Sequence, residues 1–362
     1  MTGQKLRIGI AGLGRMVVTQ LSDKEAGKRH ALNFHTLTPR AAVVAVSSPD
    51  EAERTWAADE LDGVRVYRDY DEMLEKEDLQ AIVIASATAV HASQARSAIE
   101  KGYHVLCEKP LSIEVSVAQS VVDAYNRSLR SHPNQKVMCG LSRRFDASYR
   151  DAYEKMARGD YGRPVVFRSQ TADLHDSSGF FVNYAKTSGG IFVDCSIHDI
   201  DLMLWFFGDD CRIKSLQAVG VAAVHPGLEA INDRDNAIAT VELHGGRIAT
   251  LYCSRMMAAG QEDTTEVVCQ KGSVRVNMQG RKSHVEVHDS LGARRELPRH
   301  SFDRFSNAFV TEARKFTACC LGNTPLPVSL ESSVRAVAIG QALQHSLVSG
   351  EKLRFDERNA KL

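Results

Sequence analysis

Between Lys5 and Gly140 a short apolar run, a turn and a helical stretch succeed one another repeatedly, and this rhythm constrains the fold more than any other feature of the chain. The runs, at 6–11, 42–47, 64–67, 81–85, 104–107 and 136–139, are continuously apolar rather than alternating. Strands of that kind are buried on both faces, as in a parallel sheet covered by helices. The stretches between them, such as 91–101 and 113–129, are rich in Ala, Glu and Gln, which favour helix. The expectation is α/β, a doubly wound parallel sheet.

Beyond Arg150 the texture changes. Longer β-like runs at 163–172, 237–243, 247–253, 265–269 and 273–276, separated by Gly and Asp, predict an α+β unit with an open, mainly antiparallel sheet. Two helices, 304–321 and 330–347, close the chain, with Gly322 and Gly350 as stop signals just past their ends. With 362 residues there is room for two domains. We place them at 1–142 and 143–362, the last helices being free to pack back on the first domain.

Lys+Arg and Asp+Glu each total 45, so the chain has no global field to attract nucleic acid or anionic lipid. The longest apolar runs fall far short of the roughly 20 residues of a membrane-spanning helix. The first residues, Met1-Thr2-Gly3-Gln4-Lys5, lack the pattern of a secretory signal, so the cytoplasm is the expected compartment. Eight cysteines are scattered without a C-x-x-C pair, and no metal is expected.

The first strand runs into Gly12-Leu13-Gly14-Arg15-Met16, a G-x-G turn at the point where a dinucleotide pyrophosphate meets a helix N-terminus. The third glycine of the fingerprint is missing, because position 17 is Val. Two readings stand side by side. If residues 17–26 are an insertion, excising them joins Met16 to Gly27 and restores G-x-G-x-x-G; the extra segment then bulges beside the pyrophosphate and weakens cofactor binding. Otherwise Val17 begins an ordinary helix that Gly27 ends.

After the second strand, where NAD-using enzymes usually place a carboxylate for the ribose 2′-hydroxyl, this chain has Ser48, with Asp50 and Arg54 nearby. A serine does not repel a 2′-phosphate and an arginine can pair with one, so the balance leans slightly to NADP over NAD. The same residues also read as turn and N-cap. The fifth strand ends in Glu108-Lys109-Pro110, which sets Lys109 at the carboxyl edge of the sheet, where open α/β folds bind ligands. Further on, Gly189-Gly190 precedes Asp194, His198 and Asp201 at i, i+4 and i+7. On one helix these would share a face, a histidine to take a proton with carboxylates to orient it and stabilise its charged form. A core histidine with a satisfied partner is the plainer alternative.

Taken in order, the G-x-G turn, Thr88-Ala89-Val90-His91, Glu108-Lys109-Pro110, Ser142-Arg143-Arg144-Phe145-Asp146 and Gly189-Gly190 with Asp194, His198 and Asp201 resemble the Gfo/Idh/MocA oxidoreductase family, which includes inositol dehydrogenases. The resemblance covers essentially the whole chain. It implies a Rossmann domain followed by a substrate-binding domain whose open sheet makes homodimers or homotetramers. It also implies NAD(P)-dependent hydride transfer between the nicotinamide cofactor and a secondary alcohol or ketone of a sugar or cyclitol. Lys109, Asp194 and His198 would be catalytic, His198 as the general base. Gly12, Gly14, Arg15, Met16, Ser48, Thr88, His91, Glu108 and Lys109 would contact the cofactor. Lys109, Asp173, Tyr184, Asp194 and His198 would bind a small polyol, with His175 a further candidate by position, and substrate choice would lie in 171–184 and 225–235. The departures at Val17, Ser48, Ser142 and Ala147 leave Lys109, Asp194 and His198 untouched. An idle relative kept as a cofactor or sugar sensor, or as a structural partner, is the rival that the altered glycine motif permits.

Overall fold

The computed structural model describes residues 3–14, 26–208 and 210–358, which form two compact units. One comprises Met1–Phe145 and Asn307–Arg335, the other Asp146–Ser306 and Ala336–Leu362.

The first unit is built from β1 (Leu6–Ala11), α1 (Ala26–His35), β2 (Ala41–Ser47), α2 (Glu51–Glu60), β3 (Arg65–Tyr67), α3 (Tyr70–Lys76), β4 (Ala81–Ile84), α4 (Thr88–Glu100), β5 (His104–Glu108), α5 (Val115–Ser128) and β6 (Val137–Gly140). All six strands are parallel, in the order β3-β2-β1-β4-β5-β6. This is the Rossmann arrangement, whose ligands sit outside the carboxyl ends of the strands. The apolar runs lie where the sequence places them, each end shifted by at most one residue. Every side chain of β4 and most of β1 is buried, as the lack of polar alternation requires. Helix starts follow local capping: Asp50 accepts from the Glu53 amide at 3.0 Å and Asp69 from the Glu72 amide at 2.9 Å.

The second unit opens with α6 (Ala147–Ala157) and β7 (Pro164–Leu174), then α7 (Phe180–Ala185), α8 (Ile191–Asp194), α9 (Ile197–Phe207), β8 (Ile213–Val221), β9 (Asn236–Leu243), β10 (Arg247–Met257), β11 (Glu262–Cys269) and β12 (Gly272–Val276). A short hairpin, β13 (Val287–Asp289) and β14 (Gly292–Arg294), is followed by α10 (Ser301–Arg304); α11 (Ser306–Gly322) and the first residues of α12 (Leu330–Ser349) then belong to the first unit, and the rest of α12 with β15 (Leu353–Arg354) to the second. The main sheet has seven strands in the order β12-β11-β7-β10-β9-β8-β15, antiparallel except where β7 lies parallel to β10. Helix α9 is buried all round apart from His198 and is anchored to the sheet by Asp199, whose carboxylate accepts from Ser169 and Thr171 of β7, both at 2.6 Å. The opposite face is open, with Val219, Ile238 and Ile248 about half exposed or more. Among the described residues, no helix is long and apolar enough to cross a membrane.

Two expectations are corrected here. The closing helix at 304–321 is two helices that meet at Phe305, and Gly322 is the last residue of α11 rather than a residue past it. Gly27 does not end a helix: α1 starts at Ala26 and runs through Gly27 to His35. Of the two readings of the fingerprint, the described residues favour a helix that begins beside Gly27. Arg15, Met16, Val17 and the segment up to residue 25 lie outside the described residues.

Candidate functional site

In the first unit the motif residues gather at the carboxyl ends of β1, β2, β4 and β5. Gly12 follows β1 with φ +85°, its amide donates to Ser47 O at 2.8 Å, and a Cβ there would lie 2.5 Å from the Ser86 backbone. Only glycine passes so close to the next strand end. This is the tight turn that brings backbone amides within reach of a pyrophosphate, and it is the observation on which the unit fits a dinucleotide. Thr88 opens α4, and Ser48 directly follows β2.

Two positions expected to touch the cofactor have side chains engaged within the protein. His91 is buried, with Nδ1 2.9 Å from Pro110 O and Nε2 2.9 Å from Ser86 O. A neutral ring donates through one nitrogen only, and burial pulls His91 toward that neutral form. It sits between the turn after β4 and the one after β5 and donates to one of the two carbonyls. Glu108 is buried too: its Oε1 lies 2.6 Å from His30 Nε2 and its Oε2 accepts from the Lys109 amide at 3.1 Å. Glu108 thus fixes the backbone that presents Lys109, which is itself partly exposed.

Glu312 of α11 lies beside this pair, fully buried, its ligand atoms within 4.8 Å of those of His30 and Glu108. Burial first, and then the Glu108 charge, push its carboxyl well above the ordinary value, toward the neutral form. Three such groups are a conceivable ion site, but His30 and Glu108 already share a short hydrogen bond, closer than separate ligands of one ion usually come. The cluster reads as a hydrogen-bonded pair beside a protonated acid.

The second unit draws Asp173, Tyr184 and Asp194 together around a residue the sequence analysis did not single out, Arg255 of β10. Its guanidinium donates to Asp194 Oδ2 at 2.8 Å and to Asp233 Oδ2 at 3.0 Å, and stacks 4.1 Å from the centre of the Phe181 ring. Burial alone would lower the Arg255 pKa, but Asp233 and Asp194 outweigh it and keep the group charged. Asp233 also accepts from the Ile191 amide at 2.9 Å, so the same network holds the start of α8. Tyr184 donates to Asp194 Oδ1 at 3.1 Å; burial and the Asp194 charge push its phenol up, so it remains a donor. The Cys195 thiol points to Asp173 Oδ2 at 3.7 Å. His175 stacks on His225 at 5.2 Å, and His225 in turn lies 6.1 Å from the Phe181 ring on which Arg255 stacks.

The single helical face expected for Asp194, His198 and Asp201 is not formed. Helix α8 ends at Asp194, Cys195 and Ser196 intervene, and α9 starts at Ile197 with Ser196 (φ −79°, ψ −4°) as its N-cap. The break aims Asp194 at Arg255, leaves His198 in the first turn of α9 as that helix's one partly exposed residue, and buries Asp201. No local signal marked Arg255: β10 also holds Arg247, and the Asp194 partner lies 61 positions away.

Comparison with known proteins bears on both units. Residues 6–131 match the model of an oxidoreductase family with an NAD-binding Rossmann fold, and residues 149–275 that of the GFO/IDH/MocA C-terminal domain. The chain is 28% identical over 359 residues to scyllo-inositol 2-dehydrogenase (NAD(+)) of Bacillus subtilis (strain 168), covering 98% of each. Apo scyllo-inositol dehydrogenase from Lactobacillus casei aligns at a TM-score of 0.89 with 30% identity, over 98% of this chain and 99% of that one. The Lactobacillus casei structure with bound NAD(H) and scyllo-inositol aligns at 0.88 with 31% identity, over 97% and 99%. With two matched domains and relatives similar from end to end, the chain belongs to the Gfo/Idh/MocA family of oxidoreductases.

Proposed function

We propose that the protein is an NAD-dependent dehydrogenase that oxidises a secondary ring alcohol of a cyclitol, an inositol isomer, to the ketone. The observation that carries this reading is the network in the second unit: a carboxylate, Asp194, fixed by Arg255 and Tyr184 just ahead of the only partly exposed residue of α9, His198. A neutral polyol is suited by such a set of donors and acceptors.

Bound NAD supplies the hydride acceptor. The rest is the work of the chain's own residues. His198 takes the hydroxyl proton as general base, and Asp194 stabilises the charge the ring acquires. Lys109 hydrogen-bonds the reacting oxygen and the nicotinamide ribose, while Asp173 and Tyr184 hold ring hydroxyls. Gly12, Gly14 and Thr88 line the dinucleotide, with Arg15 and Met16 assigned there by motif alone. NAD is favoured over NADP because Arg54, the group available for a 2′-phosphate, donates instead to the carbonyls of Ser48 and Pro49 at 2.9 and 2.8 Å. Assembly into homodimers or homotetramers through the open sheet face belongs to the same proposal.

The test is NADH formation from NAD with scyllo-inositol, myo-inositol and glucose, for the full chain and for His198→Ala. We expect turnover on an inositol, lowered about 10²- to 10⁴-fold in the variant with the NAD dissociation constant unchanged within about twofold. NAD binding without turnover on any polyol overturns the dehydrogenase in favour of a sensor. Full activity of the variant removes His198 from the mechanism.

A further inference from the structure

Glu53 is the third residue of α2, the place of a capping-box acid, whose side chain ordinarily turns back to the N-cap amide. Here that amide, Asp50 N–H, donates to Ser48 Oγ at 3.1 Å, and Glu53 points elsewhere. Its Oε2 accepts from the Ser48 hydroxyl at 2.5 Å. Its Oε1 faces Gly14 so closely that a Cβ on that glycine would lie 2.3 Å away. Gly14 is the second glycine of the G-x-G turn, so the following helix delivers a carboxylate to the dinucleotide turn although the strand end carries only a serine.

Among the described residues, the charged neighbours of Glu53 on α2 are engaged elsewhere. Asp50 is committed to the Glu53 amide as N-cap, and Arg54 to two carbonyl oxygens rather than to Glu53. Ser48 acts as a brace: by donating to Oε2 it turns Oε1 toward the glycine. An ionised carboxylate accepts hydrogen bonds and donates none, so it suits a vicinal diol and opposes a phosphate.

We propose that Glu53 is the residue that selects NAD over NADP, its Oε1 accepting from the adenosine ribose hydroxyls and its charge repelling a 2′-phosphate. This rests on the dinucleotide reading above and adds the residue that makes the choice. The cofactor preference then lies in α2 and not at the end of β2, and Ser48 contributes only by orienting Glu53.

The experiment is calorimetric titration of NAD and NADP, in the absence of polyol, into the full chain and into Glu53→Gln, Glu53→Ala and Ser48→Ala. The wild type should bind NAD at least about tenfold more tightly than NADP. Both Glu53 variants should lose about tenfold or more in NAD affinity and gain in NADP affinity, so that the preference collapses. Ser48→Ala should show a smaller loss in the same direction. The Gln variant keeps the volume and the Ser48 contact, so a change confined to Glu53→Ala points to lost packing and overturns the proposal. An NAD to NADP ratio that stays within about twofold of wild type in both Glu53 variants also overturns it and leaves the dehydrogenase intact. A wild type that binds neither dinucleotide overturns both.

Discussion

A charged side chain inside a protein is tolerable only with its counter-charge, and Arg255 is the residue on which the second unit's polar network turns. It is 3% exposed and shared between Asp194 and Asp233, so removing it leaves two buried carboxylates facing one another's neighbourhood without a cation. Breaking such a group typically costs about 3–5 kcal/mol. Arg255→Met should therefore lower the melting temperature sharply, and adding Asp233→Asn should recover part of the loss while activity stays low, because Asp194 has still lost the Arg255 guanidinium. Melting curves read beside kcat check both halves, and recovery of kcat together with stability in the double variant would show Arg255 to be merely structural. Arg255 escaped the sequence reading because its partner Asp194 is 61 positions away, and pairing over that distance leaves no local pattern. Lys109 and Gly12 were legible for the opposite reason: each sits in a turn whose geometry is set by its immediate neighbours.

The elements divide in the same way. The strands of the first unit could be read because burial on both faces leaves nothing polar in them. Strand β8 could not, because Lys214, Gln217 and the half-buried Gly220 break its pattern, and the parallel pairing of β7 with β10 depends on partners about 80 residues apart. The stop between α8 and α9 was missed because a spacing of four describes one helix and two equally well. Helix α11 carries a consequence that can be measured. Its Glu312 is held neutral by burial and by Glu108, beside His30, so its folded pKa lies above its unfolded one. The native state then binds one proton more than the unfolded chain at pH above the ordinary carboxyl value. Stability contributed by this group is present at low pH and is lost, at about 1.4 kcal/mol per pH unit, as pH rises toward the folded pKa. Glu312→Gln should flatten the fall of stability as pH rises above the ordinary carboxyl value, a difference that urea titrations at several pH values detect; parallel curves for the two proteins would contradict it.

At the scale of the whole molecule, the open face of the seven-stranded sheet invites a partner. Val219 is 61%, Ile248 52% and Ile238 47% exposed, and Val219 and Ile238 are register partners on adjacent strands. Apolar side chains paired on an open sheet face are the kind of surface from which an interface is built. Val219→Asp combined with Ile238→Asp should dissociate the proposed oligomer without unfolding the chain, since both side chains already stand in the open. Sedimentation velocity reads the result, and an unchanged sedimentation coefficient would remove this face from the assembly.

Helix α12 passes from one unit to the other, and the first unit is finished only by Asn307–Arg335. Within that returning segment Arg314 donates to Leu37 O at 2.9 Å, Asn323 to Asn134 at 2.8 Å, and Phe316 is fully buried. Translation is vectorial, so the Rossmann half, made first, waits for its last helix until every strand from β7 to β14 has left the ribosome. The part of the chain that is oldest in synthesis is thus the last to be closed, and a nascent chain halted before Asn307 lacks the segment that completes the first unit.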